Sequence, residues 1–389
     1  MRADVAVVGA GPAGCAAAHA LAGRGLDVAL LDRERFPRAK VCGDALSPTA
    51  LHALRQMGFD GLERSYPIDG SVVLAPDGRS MRTHTDAPGA MLRREELDQR
   101  LLRHACAAGA RFLPGARLVG YSVSASEGVV QLDDGRQVCA RWVILATGAD
   151  AAPLKAAGVL QGRAGPSAFG RRAYFRGVAC PDRKIVHSFE PFLLPGYGWI
   201  FPLGDGTANV GVAVHCSSGP MRLRGKFERF VTDSMAAERF LRGAERVSPV
   251  RTAPLRLGLQ GTRWTNGRLL VVGDALGAAT PSNGEGIPQA LVTGGLAAEA
   301  VLDGLSRGTP EREVRRRYAA SVRATYGRKF RRARWARRLL GWAPFVNAFV
   351  RFAQRDERLA DTLSWMLTGD VSPGLLPGLL RRAGHSPRT

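Results

Sequence analysis

Residues 3–32, "ADVAVVGAGPAGCAAAHALAGRGLDVALLD", constrain the fold more than any other stretch. Residues 4–8 read as a buried apolar strand, and Gly9, Gly11 and Gly14 follow as GxGxxG. Residues 13–22 are Ala-rich and helical, Gly23 and Gly25 stop the helix, and a second apolar strand ends at Asp32. The glycines permit a tight turn, close approach of backbone to a pyrophosphate, and close helix–strand packing. The helix start adds free N–H groups and partial positive charge. An acid at position 32 can accept from ribose hydroxyls. Strand, glycines, helix, strand and acid fall in order, so the segment predicts a dinucleotide site at Gly9, Gly11, Ala13, Gly14, Asp32 and Arg33.

The rest of the chain bounds what is built on that unit. At 389 residues it is too long for one small core, so two domains, or one with an insertion, are expected. Six scattered cysteines without a CxxC and seven scattered histidines predict neither a disulfide framework nor a metal site. The strand begins almost at residue 1 and no long apolar run follows, so a cytoplasmic protein is expected, with peripheral membrane contact through the Arg-rich C-terminal region left open. The net charge is +21, and the excess concentrates in "RRRYAASVRATYGRKFRRARWARRLL". Such a run points to an acidic partner or to a solvated helical face. No nucleic-acid motif accompanies it, so nucleic-acid binding is not expected.

Three later segments are similar to flavoprotein sequences and favour FAD over NAD. "VCARWVILATGAD" (138–150) is a strand leading to an ATG turn, with Ala146 and Gly148 as cofactor contacts. "NGRLLVVGDALGAATPSNGEGIPQAL" (266–291) is a strand ending at Gly273-Asp274, then a glycine-rich turn and a helix. Asp274 can accept from ribitol hydroxyls. Backbone N–H groups around Gly284, Glu285, Gly286 and Ile287 can stabilise negative charge on a reduced flavin. "MLRREELDQRLLRHACAAGA" (91–110) is similar to an R-x-x-L-D-x-x-L helix, with Arg94 facing the cofactor or simply pairing with Asp98 on the surface. There is only one GxGxxG, so the reductant is either a transiently bound NAD(P)H or another electron donor.

Between these segments the pattern turns β-like: "SVVLAP" (71–76), "RRAYFRGV" (171–178), "KIVHSFE" (184–190), "GWIFPL" (198–203) and "ANVGVAV" (208–214). The fold class expected is an α/β FAD-binding Rossmann-like domain with an inserted, largely antiparallel β-sheet substrate domain and a helical C-terminal region. The boundaries expected are 1–65, 91–155 and 263–305 for the FAD domain, 66–90 and 156–262 for the substrate domain, and 306–389 for the Arg-rich helical region. On a strand, Tyr197, Trp199 and Phe201 share one face. That face either packs the core or lines a substrate cavity.

"FPRAKVCGDALSP", "GYGWIFPLGDGTANVG" and "VVGDALGAATPSNGEGIPQA" together resemble the geranylgeranyl reductase family of flavoproteins, with a looser similarity in "LSWMLTGDVSP" (363–373). The resemblance implies FAD-dependent reduction of C=C bonds in prenyl chains or similar hydrophobic substrates. It makes Cys42, Tyr197 and Trp199 the catalytic candidates, and adds Lys40, Cys42 and Gly43 to the cofactor contacts. Tyr197, Trp199, Phe201 and Pro281 become substrate contacts. The alternative is a flavin-dependent monooxygenase or halogenase of secondary metabolism, acting through a C4a-(hydro)peroxyflavin. Against the halogenase pattern G-W-x-W-x-I-P, this chain has Tyr197 and Phe201 at the first Trp and the Ile. A halogenase also needs a lysine beside its substrate, for which Lys40 and Lys155 are the candidates.

Overall fold

A computed structural model describes residues 1–124, 126–162, 165–215 and 219–355. The similarity at residues 363–373 lies outside them. Strand Arg2–Val8 pairs in parallel with Val28–Asp32 on one side and Gln137–Leu145 on the other. Leu269–Val271 and Arg111–Pro114 extend the parallel sheet outward. The register sets Val8 opposite both Leu31 and Leu145, so three strands end at one level. Gly9, Asp32 and Ala146 therefore meet at the carboxyl edge, where open α/β sheets bind ligands. An antiparallel ladder, Leu118–Val123 and Gly128–Leu132, hangs on Gln137–Leu145 and is not anticipated by the sequence reading.

These central strands are apolar on both faces because helices cover them. Val5, Val7, Leu30, Val143 and Ile144 are fully buried. Helix Pro12–Ala22 crosses helix Ile287–Ser306 so closely that a Cβ on Gly294 would lie 2.2 Å from the Ala13 carbonyl oxygen. That crossing holds the start of the second helix against the glycine turn of the first.

The second sheet runs, in order, Glu245–Arg246, Ala168–Arg176, Thr207–His215, Tyr197–Pro202, Lys184–Ser188, Gly70–Leu74 and Ser80–Arg82, with Arg251–Leu255 also on Ala168–Arg176. Every pairing is antiparallel except Lys184–Ser188 with Gly70–Leu74. One face packs on Phe227, Phe230 and Phe240. The other face turns Tyr197, Trp199 and Phe201 toward the first sheet. A small sheet of Ala45–Leu46, Gly89–Met91 and Tyr66–Ile68 pins the loop between the two.

The chain then forms helix Glu311–Leu340 and helix Ala343–Ala353. The first buries Val314, Tyr318, Val322, Tyr326 and Phe330, and the Tyr318 hydroxyl donates to the Val271 carbonyl at 2.5 Å. The second buries Val346 and Val350 against Val73, Met81 and Phe189 of the second sheet. Among the described residues no helix is long and apolar enough to cross a membrane.

Candidate active site

One cavity of about 700 Å³ runs from the glycine turn to the second sheet. Its first limb is built by backbone constraint. Gly9 has φ +106°, and a Cβ there would lie 2.3 Å from the Ala146 carbonyl oxygen. A Cβ on Gly14 would lie 1.8 Å from the Gly9 oxygen, so Gly14 is needed for packing and does not itself line the cavity. Gly11 opens instead toward the Arg38 guanidinium. Asp32 is buried at its strand end. It accepts from the Ala10 amide at 2.7 Å and the Glu34 amide at 2.9 Å, which fixes the turn around it. Arg33 lies at the mouth, exposed and paired with Asp150 at 2.6 Å.

Arg94 and Asp98 do not form a surface pair. Both are buried, and Arg94 donates to the carboxylate through two nitrogens at 2.8 Å. Arg38, arriving from the loop after the second strand, meets the same carboxylate at 3.1 Å. One fully buried acid thus holds two arginines at the cavity wall, a charge-assisted arrangement stronger than a solvent-exposed pair. Lys40 also lines this limb, beside Gly148. Burial lowers its pKa, opposed by the charge of Asp274, and no carboxylate among the described residues reaches it within ion-pair distance.

The second limb forms around Asp274 and the turn before helix Ile287–Ser306. A Cβ on Gly286 would lie 2.9 Å from Asp274 Oδ1, so the turn and the acid need a glycine between them. Asn283 shapes the turn by accepting from the Glu285 amide at 3.0 Å. The amides of Gly286 and Ile287 make no hydrogen bond within the described chain. Glycine cradle, arginine pair, unpaired lysine and open amides all fit an anionic dinucleotide carrying a flavin. Gly9, Gly11, Ala13, Asp32, Arg38, Lys40, Arg94 and Asp274 would hold it.

The third wall is aromatic. Tyr197, Trp199 and Phe201 stand in a row with ring centroids 6.1 and 6.2 Å apart, all on the cavity. They also pack with Ile68 and Met91, so the face serves both core and cavity. Each is tied in place. The Tyr197 hydroxyl donates to the Asn283 carbonyl at 2.6 Å, joining the aromatic strand to the flavin-side turn. Trp199 Nε1 donates to Asn209 Oδ1 at 2.9 Å. Asn209 Nδ2 in turn donates to the Cys42 carbonyl at 2.8 Å and to Asp44 at 2.7 Å. Phe201 packs over Gly43, where a Cβ would approach its ring to 3.1 Å.

Cys42 therefore sits where the limbs meet, with its loop held by Asp44. That carboxylate is fully buried at φ +64° and also accepts from the Tyr174 hydroxyl at 2.8 Å and the Arg94 amide at 3.2 Å. Asp44 is a structural acid here and contacts no ligand space. Burial raises the Cys42 pKa, opposed by the positive charge of the nearby Arg94 guanidinium. The thiol stays protonated at neutral pH.

The cavity also brings in residues that sequence reasoning missed. His187 is buried in the aromatic wall, its ring 5.7 Å from Tyr197 and 5.2 Å from Phe201. Burial pushes its pKa down to about 4, and its Nδ1 has no hydrogen-bond partner among the described residues. Its only sequence signal is a polar residue inside "KIVHSFE", which period-two alternation hides. Of the expected contacts, Ala146, Gly148, Gly284, Glu285 and Ile287 all line the cavity. Gly273 and Pro281 do not. Gly273 packs on Ala13, and Pro281 is buried against Gly258. Lys155 is exposed and off the cavity. The described cysteines are free, and no cluster of metal-ligating side chains occurs among the described residues.

Residues 4–168 match the model of the lycopene cyclase protein family. A menaquinone reductase of Mycobacterium tuberculosis is 35% identical over 366 residues, covering 88% of this chain and 85% of that protein. A geranylgeranyl diphosphate reductase of Rhodobacter capsulatus is 31% identical, covering 80% and 78%. Among solved structures, a geranylgeranyl bacteriochlorophyll reductase-like protein of Thermoplasma acidophilum superposes with a TM-score of 0.84 at 20% identity, over 98% of this chain and 99% of that one. A flavin-dependent brominase superposes at 0.74 with 18% identity, over 98% of each, and so shares the fold.

Proposed function

Because the chain belongs to the geranylgeranyl reductase family of FAD-dependent oxidoreductases, we propose that it saturates C=C bonds in the isoprenoid chain of a quinone-type lipid. The observation that carries this reading is the continuity of the cavity. The limb suited to a flavin opens directly on the Tyr197–Trp199–Phe201 wall with the Cys42 thiol between them. An isolated alkene has no polar handle, so it must be oriented by apolar walls that exclude water. Ile68, Ile185 and the three rings offer such walls.

When bound by Gly9, Gly11, Ala13, Asp32, Arg38, Lys40, Arg94 and Asp274, FAD reduced by NAD(P)H or another donor would supply the hydride. The protein's part is to hold the alkene, and to deliver one proton to the carbon that does not receive hydride. Cys42 Sγ–H is the donor in this reading: protonated, on the cavity, and on a backbone held by Asn209 through the Cys42 carbonyl. Tyr197 does not compete for that role, since its hydroxyl proton is engaged with the Asn283 carbonyl. His187 supports a substrate with a polar head. A neutral imidazole lining an otherwise apolar wall can hydrogen-bond a ring oxygen, and the 35%-identical relative is named for a quinone.

Oxygen-dependent monooxygenation or halogenation receives less support. Among the described lining residues the one lysine is Lys40, which lies beside Gly148 on the cofactor limb. The test is anaerobic incubation of the reduced, FAD-loaded protein with menaquinone, prenyl diphosphates and prenylated glycerolipids, read by mass spectrometry. The expected product is menaquinone heavier by two hydrogens per saturated bond. No saturation of any of the three, or product that forms only with O2, overturns the proposal.

A further inference from the structure

The arginine-rich run of the sequence has no role in the cavity, and its two halves differ. Near the start of helix Glu311–Leu340 three arginines are paired with acids: Arg315 with Glu311, Arg316 with Glu313, and Arg317 with Glu313 and Asp303. Beyond Glu313 the sequence has no Asp or Glu through residue 355. Arg331, Arg332, Arg338, Arg351 and Arg355 are exposed, and none forms an ion pair among the described residues.

The same two helices and the turn between them carry exposed aromatics. Trp335 is 62% exposed, Trp342 60% and Phe352 51%, and they are the only aromatic residues among the exposed large hydrophobics of the described chain. The inner faces of these helices are already used, by Tyr326, Phe330 and Leu340 on one and Val346 and Val350 on the other. The outward rings are therefore surplus to the core. Arg338 lies over the Trp335 ring at 5.0 Å and Arg351 over Phe352 at 5.4 Å, so guanidinium and ring are presented together.

We propose that Trp335, Trp342 and Phe352, with the unpaired arginines around them, form a docking face for the surface of an anionic lipid bilayer. Trp rings partition to the headgroup boundary, and arginines are drawn to anionic headgroups. Neither helix is a membrane span, so the contact is peripheral. A nucleic acid would be served by the arginines alone, with no need for three apolar rings around them. An acidic protein would be expected to find a more enclosed apolar surface. Helix Ala343–Ala353 packs on Phe189, and Phe189 on Tyr197 of the aromatic wall, at a ring separation of 6.2 Å. Docking would thus bring the cavity beside the membrane. The inference concerns the surface alone and does not depend on the identity of the substrate.

The test is flotation of the full-length, FAD-loaded protein with vesicles of phosphatidylglycerol and phosphatidylcholine, against pure phosphatidylcholine. Binding is expected only to the anionic vesicles, weakening as salt is raised, with Trp fluorescence quenched by brominated acyl chains. The triple variant Trp335→Ser, Trp342→Ser, Phe352→Ser is expected to keep its flavin absorbance and lose at least about tenfold in binding. Arg331→Gln, Arg332→Gln, Arg338→Gln serves if that variant does not fold, with a loss of similar size and a flatter salt dependence. Failure to float, equal binding to neutral vesicles, full binding by both variants, or tighter retention by nucleic acid than by anionic vesicles would overturn the proposal.

Discussion

At Cys42 burial raises the thiol pKa while Arg94 opposes it, and burial prevails. A proton donor with a raised pKa is loaded at neutral pH and is lost as pH climbs through that value. The pH–rate profile is therefore expected to hold its plateau past the range of an ordinary thiol. Cys42→Ala should lower turnover by roughly 10²-fold or more, the range for a removed general acid. FAD absorbance should be kept and the alkaline limb lost, while Cys42→Ser should lie between. Turnover unchanged in Cys42→Ala would remove the thiol from the chemistry. His187 titrates in the opposite sense. Its folded pKa of about 4 lies below the ordinary histidine value, so the unfolded chain binds the proton first. Its contribution is complete above about pH 6.5 and is lost as pH falls toward 4, some 3 kcal/mol in all. In His187→Phe the stability between pH 7 and 4, followed by urea unfolding, should fall less steeply by that amount. An identical slope would mean that the imidazole is not held neutral.

Helix Ile287–Ser306 owes its position to one missing side chain. A Cβ on Gly294 would strike the Ala13 oxygen at 2.2 Å, whereas Gly295 beside it has open space. Gly294→Ala should push this helix from helix Pro12–Ala22, cost about 1–3 kcal/mol and weaken FAD binding, because both helix starts face the cavity. Gly295→Ala should be neutral or stabilise by up to about 1 kcal/mol. Equal behaviour in thermal melts would show that the crossing is loose. The contrast also marks what the sequence can reveal. The Gly9–Asp32 unit was legible because its signals are local: a strand, a turn and a helix within thirty residues. The Tyr197, Trp199 and Phe201 face was legible because alternation alone aligns it. Arg94 and Asp98 were legible as neighbours, but not as buried, since that depends on Arg38 arriving from another loop. His187 and Asn209 stayed hidden for a like reason: their roles exist only once three strands and the Cys42 loop are side by side. Within one glycine-rich turn, composition does not separate Pro281, which packs on Gly258, from Asn283–Ile287, which line the cavity.

For the whole molecule, the two sheets share no continuous hydrogen-bonded ladder among the described residues; the cavity lies between them, and the loop 32–48 lines it. A cofactor gripped at Gly9–Ala13 and also bounded by the Cys42 loop would make each sheet's stability sense its presence. At a hundredfold excess over its dissociation constant it should add about 2.7 kcal/mol to stability. Hydrogen exchange should then slow in residues 197–202 as well as in 4–14. Gly9→Ala, at φ +106° and 2.3 Å from the Ala146 oxygen, should abolish both the increment and the remote protection. Trp199→Ala should keep the increment, because Trp199 bounds the other limb, while lowering the starting stability by about 3–5 kcal/mol as a buried aromatic is removed. If Trp199 serves the cavity as well as the core, the product distribution should change with it. Protection confined to residues 4–14 would mean that the cofactor reads only the first sheet. The second would then be positioned by the protein's own bonds, among them those of Asp44 with Tyr174 and Asn209 and that of Tyr197 with the Asn283 carbonyl.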